Sequence, residues 1–372
     1  MKTRAAVLWE AGSPVEIVDV ELAPPGPGEV LVEVAAAGVC GTDLHVVDGE
    51  LPEPFPIVLG HEGAGEVMEA GPGVTSLEPG DHVVLSLVPP CGECAYCRDG
   101  RPVLCEQAGE LAAAGTLADG TTRLSVDGTR LHHFNQVSCF ADHVVVPSAG
   151  AVRVRDDVDL RTAALVSCAV LTGTGAVWNT AGVERGASVA VWGCGGVGLN
   201  VVQAARIAGA EPIVAVDVVP EKLELARRLG ATAVVDATAA SPHAAVQDLT
   251  RGGVDYAFEA LGREETIQAA WAATRPGGTT VVVGLVPKGR RIEIDPWQFI
   301  SEKTLKGCFL GSPRIDVDIP RLLDLYAGGD LRLDELVSHR LPLEQLPQAF
   351  ERLRAGTAAR QLVVFETGQP FS

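Results

Sequence analysis

Four cysteines lie within fifteen residues of this 372-residue chain, in the segment CGECAYCRDGRPVLC. They follow the spacing C-x2-C-x2-C-x7-C, which brings four thiolates within reach of one ion. Four sulfur ligands fill the tetrahedral shell of zinc and leave no open position. We therefore predict a lobe over residues 89–107 that is built around a structural zinc ion. Its predicted ligands are Cys91, Cys94, Cys97 and Cys105.

The number of cysteines indicates that they are present as reduced thiols. The chain has nine cysteines, an odd number that is too sparse for a disulfide scaffold. The start, MKTRAAVLWEAGS, contains no apolar segment of signal-peptide length, and the sequence has no run of about 18 uncharged apolar residues. We therefore expect a cytoplasmic protein whose thiolates remain available to metal ions.

The net charge of −19 is spread along the chain rather than gathered in a tail. Such a surface repels phosphate backbones and anionic lipid headgroups. The charge argues against nucleic acid or a membrane as partner, and we expect a small-molecule substrate. The hydrophobic share of 47% is sufficient for the cores of two or three domains.

Two patterns of sequence alternate along the chain. Residues 1–170 contain short β-rich segments separated by Gly and Pro. Residues 171–310 alternate apolar strand-length runs with helical periodicity, which predicts βαβ units on a parallel sheet. Residues 311–372 return to the mixed pattern and contain a short strand, QLVVFE. Because this strand has no helix of its own, we expect it to rejoin the first domain.

A glycine-rich segment within residues 189–198, VAVWGCGGVG, is predicted to be a strand, a G-x-G-x-x-G turn and a helix. Gly193 suits the tight turn, Gly195 allows the backbone to approach a pyrophosphate, and Gly198 allows close packing of helix on strand. Asp217 ends the next predicted strand, where a carboxylate binds ribose hydroxyls and repels a 2′-phosphate. This pattern predicts NAD rather than NADP. The predicted loop residues are Gly193, Gly195, Gly196, Val197 and Gly198.

A second metal site is predicted from three scattered residues, Cys40, His61 and Cys168. Two thiolates and one imidazole form a set that leaves one zinc coordination position open to substrate. The neighbouring acids Asp43 and Glu62 are both candidates to orient the His61 ring. The sequence alone leaves the choice between them open.

These motifs together resemble zinc-containing medium-chain alcohol dehydrogenases over essentially the full chain. The matching motifs, in order, are GVCGTDLH, GHEGAG, the four-cysteine lobe, SCAVLTG, GCGGVG with its acid, and AARQLVVF. The resemblance implies an α/β protein with a GroES-like, mostly-β catalytic domain over 1–170 and 311–372. It also implies a doubly wound Rossmann domain over 171–310, an active site in the cleft, and a homodimer or homotetramer.

The resemblance assigns roles to five further residues. Thr42 matches the hydroxyl that bonds the substrate oxygen, and His45 matches the end of a proton relay through the nicotinamide ribose. Glu62 resembles the acid behind the catalytic zinc. Lys222 matches a lysine that assists at the adenosine ribose, and Arg360 resembles the late arginine that reaches the cofactor pyrophosphate.

Two departures from the family pattern affect the predicted ligands. Gly41 stands where several members carry Arg or His for the pyrophosphate. Glutathione-dependent members also use an arginine shortly after the fourth lobe cysteine, where this chain has Glu106, Gln107, Ala108 and Gly109. We therefore expect a substrate other than a glutathione adduct.

The expected activity is zinc-assisted hydride transfer between NAD and a primary alcohol or aldehyde, aliphatic or aromatic. The opening MKTRAAVLWE and the segment GHEGAGEV also resemble nicotinoprotein alcohol dehydrogenases, which keep NAD bound and use an external acceptor. A zinc-stabilised, NAD-binding regulator without catalysis is a further alternative. The sequence leaves open the identity of the alcohol, the physiological direction and the choice between dimer and tetramer.

Overall fold

The computed structural model describes residues 1–238, 241–356 and 358–366. It divides into two compact units, one of residues 1–168 with 314–372 and the other of residues 169–313. The predicted boundaries, after residues 170 and 310, lie close to these divisions.

The strands within the described residues are numbered in chain order. They are β1 (Lys2–Leu8), β2 (Glu16–Leu22), β3 (Glu29–Val39), β4 (Ile57–Val58), β5 (Gly63–Ala70), β6 (His82–Leu85), β7 (Leu124–Val126), β8 (Thr129–His133), β9 (His143–Pro147), β10 (Ala151–Arg153), β11 (Val189–Trp192), β12 (Ile213–Asp217), β13 (Ala233–Asp236), β14 (Val254–Glu259), β15 (Thr274–Val282), β16 (Thr304–Gly307), β17 (Val337–Leu341) and β18 (Arg360–Val364).

The α-helices are numbered in the same way. They are α1 (Gly41–Val47), α2 (Ala95–Arg98), α3 (Glu106–Ala114), α4 (Leu160–Ala163), α5 (Ala169–Gly175), α6 (Gly196–Ala208), α7 (Pro220–Leu229), α8 (Pro242–Leu249), α9 (Glu264–Ala273), α10 (Ile315–Ala327) and α11 (Leu346–Arg354). In the described residues no single helix is long and apolar enough to cross a membrane, although one bent pair, 160–167 with 169–181, meets both criteria jointly.

The first unit contains two sheets. Five strands close on themselves in the order β1–β2–β7–β8–β4, and seven strands form a second sheet in the order β10–β6–β5–β3–β18–β17, with β9 also paired to β3. The central strand β3 is almost wholly buried because it reads EVLVEVAAAGV, with apolar residues on both faces. The late strand β18 pairs with β3, so the prediction that it rejoins this domain is confirmed.

The second unit is built on a parallel sheet of six strands in the order β13–β12–β11–β14–β15–β16. Strand β11 (VAVW) is apolar throughout and β12 (IVAVD) is apolar up to its last residue, as expected for strands of a sheet covered by helices on its faces. The strand order reverses between β11 and β14, which is where ligands bind in doubly wound sheets. The predicted fold class is therefore confirmed for this unit.

A buried ion pair joins the two sheets of the first unit. Glu29 begins β3, and Arg123 directly precedes β7. The Arg123 Nε lies 2.8 Å from Glu29 Oε2, and its Nη2 lies 2.7 Å from Oε1, so the pair is bidentate. Both side chains are less than a tenth exposed. Each buried charge would therefore destabilise the fold if its partner were removed.

Replacing Arg123 with methionine is expected to leave the Glu29 charge buried and unpaired. The free energy of unfolding should fall by about 3–5 kcal/mol, measured by urea unfolding. The matched control is Arg155→Met, which removes an exposed pair with Asp157 and should leave the unfolding midpoint in place. An equal loss from both variants would contradict the role of the buried pair.

Candidate active site

Three residues from distant parts of the first unit form a metal-binding cluster. Ligand atoms of Cys40, His61 and Cys168 all lie within 4.8 Å of one another, and all three side chains are buried. Cys40 directly follows β3, His61 lies between β4 and β5, and Cys168 directly precedes α5. The structure therefore brings together the three residues predicted as ligands of the catalytic metal.

The imidazole of His61 is held in one orientation by Asp43. The Nδ1 atom of His61 lies 3.1 Å from Asp43 Oδ1, and the carboxylate also accepts hydrogen bonds from the backbone N–H groups of Gly60 and Cys40. The other ring nitrogen, Nε2, is buried without a hydrogen-bond partner. A proton on Nδ1 leaves the Nε2 lone pair for a metal ion. Of the two predicted candidates, Asp43 is the acid that orients His61.

The electrostatics of the cluster favour a thiolate. A hydrogen bond from Cys168 lowers the pKa of Cys40, burial opposes it, and His61 and the charge of Arg360 reinforce the lowering. Zinc binds the thiolate form of cysteine. The unpartnered imidazole nitrogen and the two sulfur atoms therefore fit a zinc ion with one open position.

Glu62 lies next to the cluster but bonds elsewhere. Its fully buried carboxylate is ion-paired with the guanidinium of Arg360, at the start of β18. Gly38 makes room for this pair, because a Cβ at that position would collide with the Glu62 side chain. The predicted role of Arg360 at the pyrophosphate stays a prediction.

Thr42 and His45 share helix α1, three residues apart and hence on one face of the helix. The Thr42 hydroxyl lies 3.6 Å from the sulfur of Cys40. The imidazole of His45 is partly exposed, and its Nδ1 lies 2.5 Å from Glu50 Oε2. Glu50 is not predictable from the sequence pattern, since it lies beyond the end of α1 and helical spacing does not point to it.

The four lobe cysteines also converge. Their sulfur atoms all lie within 4.8 Å of one another. Backbone N–H groups point at the sulfurs, including that of Cys94 at 3.3 Å from Cys91 Sγ and that of Cys97 at 3.5 Å from Cys94 Sγ. The bonds from Cys97 and Glu106 lower the pKa of Cys94 to about 6. Four convergent sulfurs with such donors fit the predicted structural zinc.

The glycine loop of the second unit connects β11 to α6. Gly193 has a φ of +92°, which favours glycine. A Cβ on Gly198 would collide with the carbonyl oxygen of Gly193, whereas one on Gly195 would meet nothing within 4 Å. The loop is therefore packed closely against its own strand and open at Gly195, which leaves space for a phosphate group at the start of α6.

Asp217 ends β12 beside this loop and is buried. Its Oδ2 accepts a hydrogen bond of 2.6 Å from the Cys194 N–H, and its Oδ1 accepts one of 2.9 Å from the Val219 N–H. Each carboxylate oxygen can accept a second bond, so both remain able to bind a ribose hydroxyl. Burial and then the charge of Asp217 raise the pKa of Cys194, and the charge of Lys222, in the first turn of α7, opposes that rise.

The chain combines a mostly-β unit and a Rossmann unit. The mostly-β unit holds a closed four-sulfur site and an open Cys₂His site. These features together define the class of zinc-dependent dehydrogenases. Comparison with protein families agrees with this class. The family model for the alcohol dehydrogenase GroES-like domain matches residues 26–156, and the model for zinc-binding dehydrogenases matches residues 196–328.

Relatives match nearly the whole chain. Alcohol dehydrogenase class-3 of Drosophila melanogaster is 40% identical over 97% of both chains. S-(hydroxymethyl)glutathione dehydrogenase of Escherichia coli is 39% identical over 98% of this chain and 100% of its own. The crystal structure of benzyl alcohol dehydrogenase from Acinetobacter calcoaceticus has a TM-score of 0.94 at 34% identity, covering 98% of this chain and 100% of its own.

The chain belongs to the zinc-containing medium-chain alcohol dehydrogenase family. The predicted family, fold class and cofactors are confirmed: this is a zinc-dependent dehydrogenase with two zinc sites and a Rossmann unit for NAD.

Replacing Asp43 with asparagine is expected to weaken binding of the zinc ion at His61. The amide cannot hold the ring as firmly as a charged acceptor, and loss of such a partner typically costs about 10–100-fold in metal affinity. Zinc per chain should fall from two towards one after dialysis against a chelator, measured by elemental analysis. Asp48→Asn, at the exposed end of the same helix, is the control and should retain both ions.

Proposed function

We propose that this protein interconverts primary alcohols and aldehydes by hydride transfer to and from NAD. The observation that carries the proposal is the buried cluster of Cys40, His61 and Cys168, with the unpartnered Nε2 of His61. Two sulfurs and one nitrogen leave a fourth tetrahedral position for a substrate oxygen. Such an open position favours an enzyme over the non-catalytic regulator.

Zinc in this site would supply a Lewis acid that lowers the pKa of a bound hydroxyl, and the nicotinamide of NAD would supply the hydride acceptor. We propose that side chains of α1 carry away the proton that the substrate hydroxyl loses. Thr42 Oγ1, close to Cys40, accepts the proton of the substrate hydroxyl as it gives up its own hydroxyl proton towards His45. Glu50 holds Nδ1 of the partly exposed His45, which leaves Nε2 to take up the proton and release it to solvent.

For the remaining site residues, we propose the predicted assignments. NAD lies against the glycine loop, with Asp217 and Lys222 at the adenosine ribose and Arg360 at the pyrophosphate. The open space at Gly195 and the free acceptor capacity of Asp217 support this arrangement. The buried carboxylate of Glu62 pairs with the guanidinium of Arg360 and holds it beside the metal ligands.

A simple alcohol is favoured as substrate over a glutathione adduct. The name of one relative, S-(hydroxymethyl)glutathione dehydrogenase, favours the adduct. An anionic adduct requires a cation, however, and residues 102–122 of this chain contain neither Lys nor Arg, with Glu106 and Glu110 on α3 instead. Likeness to a benzyl alcohol dehydrogenase supports an aromatic or aliphatic primary alcohol.

We also propose a cytoplasmic homodimer or homotetramer. In the second unit, Trp297, Ile300 and Phe309 are 73%, 66% and 50% exposed, and they flank β16, the edge strand of the parallel sheet. Exposed apolar side chains beside a sheet edge are typical of a surface covered by another copy. Light scattering of the purified protein measures the mass that tests this.

Replacing Cys40 with alanine should abolish alcohol oxidation without unfolding the protein, because the four-sulfur lobe keeps its own ligands. Cys97→Ser is the matched variant: it should lower the thermal midpoint, since it removes a ligand of a structural zinc. Both variants are assayed for NADH absorbance, zinc content and melting. Near-normal hydride transfer by the Cys40 variant would contradict the proposed mechanism.

The substrate class is tested by an NADH-absorbance screen over alcohols of graded size, with formaldehyde plus glutathione as a separate arm. We expect turnover of benzyl and short primary alcohols to exceed that of the glutathione adduct. Gel filtration before the assay distinguishes freely exchanging NAD from NAD that stays bound, as in a nicotinoprotein. A clear preference for the adduct would overturn the proposed substrate class.

A further inference from the structure

A buried carboxylate at the centre of the parallel sheet has no role in the mechanism above. Glu259 is the last residue of β14 and is fully buried. In the sheet it lies directly opposite Trp192, the residue before Gly193. Strands β11 and β14 are the neighbours between which the strand order reverses. Glu259 therefore lies at the point of the sheet where dinucleotides bind.

The carboxylate is surrounded by donors of the loop that follows it. Its Oε1 accepts hydrogen bonds from the N–H groups of Leu261 and Gly262, both at 2.9 Å, and from the hydroxyl of Thr266 at 2.7 Å. Burial raises the pKa of Glu259, and these donors oppose that rise. A buried carboxylate bonded in this way specifies one conformation of the loop 260–263.

That loop makes direct contact with the glycine loop. The side chain of Leu261 fills the space beside Gly193, where an added Cβ would lie 2.6 Å from Leu261 Cγ. On the other side, the backbones of Gly262 and Gly284 meet so closely that neither position has room for a side chain. The loop 260–263 therefore packs between the glycine loop and the turn at Gly284, both at the carboxyl ends of strands.

We propose that Glu259 is a positioning residue of the NAD site, whose carboxylate holds Leu261 against the glycine loop as an apolar wall of the cofactor-binding surface. Leu261 is 44% exposed while it contacts the glycine loop at Gly193. A bound dinucleotide would cover it. The inference rests on the proposed NAD site and adds to it a wall that the glycine motif does not contain.

The test compares Glu259→Ala, Glu259→Gln and Leu261→Ala with the wild-type holoenzyme. Calorimetry measures the dissociation constant of NAD, and assays separate KM for NAD from kcat. Glu259→Ala and Leu261→Ala should each raise the dissociation constant and KM about tenfold, because the loop loses its preorganised wall, with a smaller effect on kcat. Glutamine retains one acceptor oxygen, so Glu259→Gln should restore most of the affinity.

The control is Asp255→Asn, at the amino end of the same strand. Asp255 accepts a hydrogen bond of 2.7 Å from the Ser188 N–H and pairs with Arg275. Its loss should lower the thermal midpoint and leave NAD affinity intact. Unchanged NAD affinity in Leu261→Ala and in the folded Glu259 variants would overturn the inference, as would an equal loss in Asp255→Asn. Absence of NAD binding by the wild type would instead overturn the proposed site itself.

Discussion

The hydrogen bond between Asp43 and His61 is the contact on which the metal cluster depends. Asp43 also accepts the N–H groups of Gly60 and Cys40, so one carboxylate joins the first turn of α1 to the turn that carries the imidazole. The carboxylate is fully buried, where hydrogen bonds are stronger than in water and unpaired charge is costly. The ring is therefore fixed before any ion binds, and Nε2 is left as its only free nitrogen.

The second unit uses buried carboxylates for a comparable purpose. Asp217 binds the N–H of Cys194 in the glycine loop, and Glu259 binds the N–H groups of the next loop along the sheet edge. Both acids end parallel strands, where the backbone leaves the sheet and loses its strand partners. A carboxylate with several acceptor sites replaces those partners and gives each loop one conformation. Asp217 and Glu259 thereby fix the conformations of the loops on which the glycine motif depends.

Substrate choice within this family depends on features that overall similarity does not report. The chain resembles glutathione-adduct dehydrogenases and a benzyl alcohol dehydrogenase over nearly its whole length. The fold, the zinc ligands and the Rossmann sheet are compatible with either substrate. The proposed preference for a simple alcohol rests on local charge, because residues 106–122, after the fourth lobe cysteine, carry glutamates and neither Lys nor Arg. An anionic substrate needs a specific positive partner, whereas a neutral alcohol needs none.

The sequence by itself determined the four-sulfur lobe, the parallel sheet, the glycine loop and the family, because each depends on spacing or periodicity between near neighbours. It also supplied the three predicted ligands of the catalytic metal, through their Cys₂His donor set and the family resemblance. Only the tertiary structure decided that Asp43 rather than Glu62 orients His61, that Glu62 pairs with Arg360, that Glu50 holds His45, and that Glu259 supports the loop beside Gly193. These are contacts between side chains and loops whose positions depend on how the strands pair. The fold selects the partners of such hydrogen bonds, so neither spacing nor periodicity in the sequence indicates them.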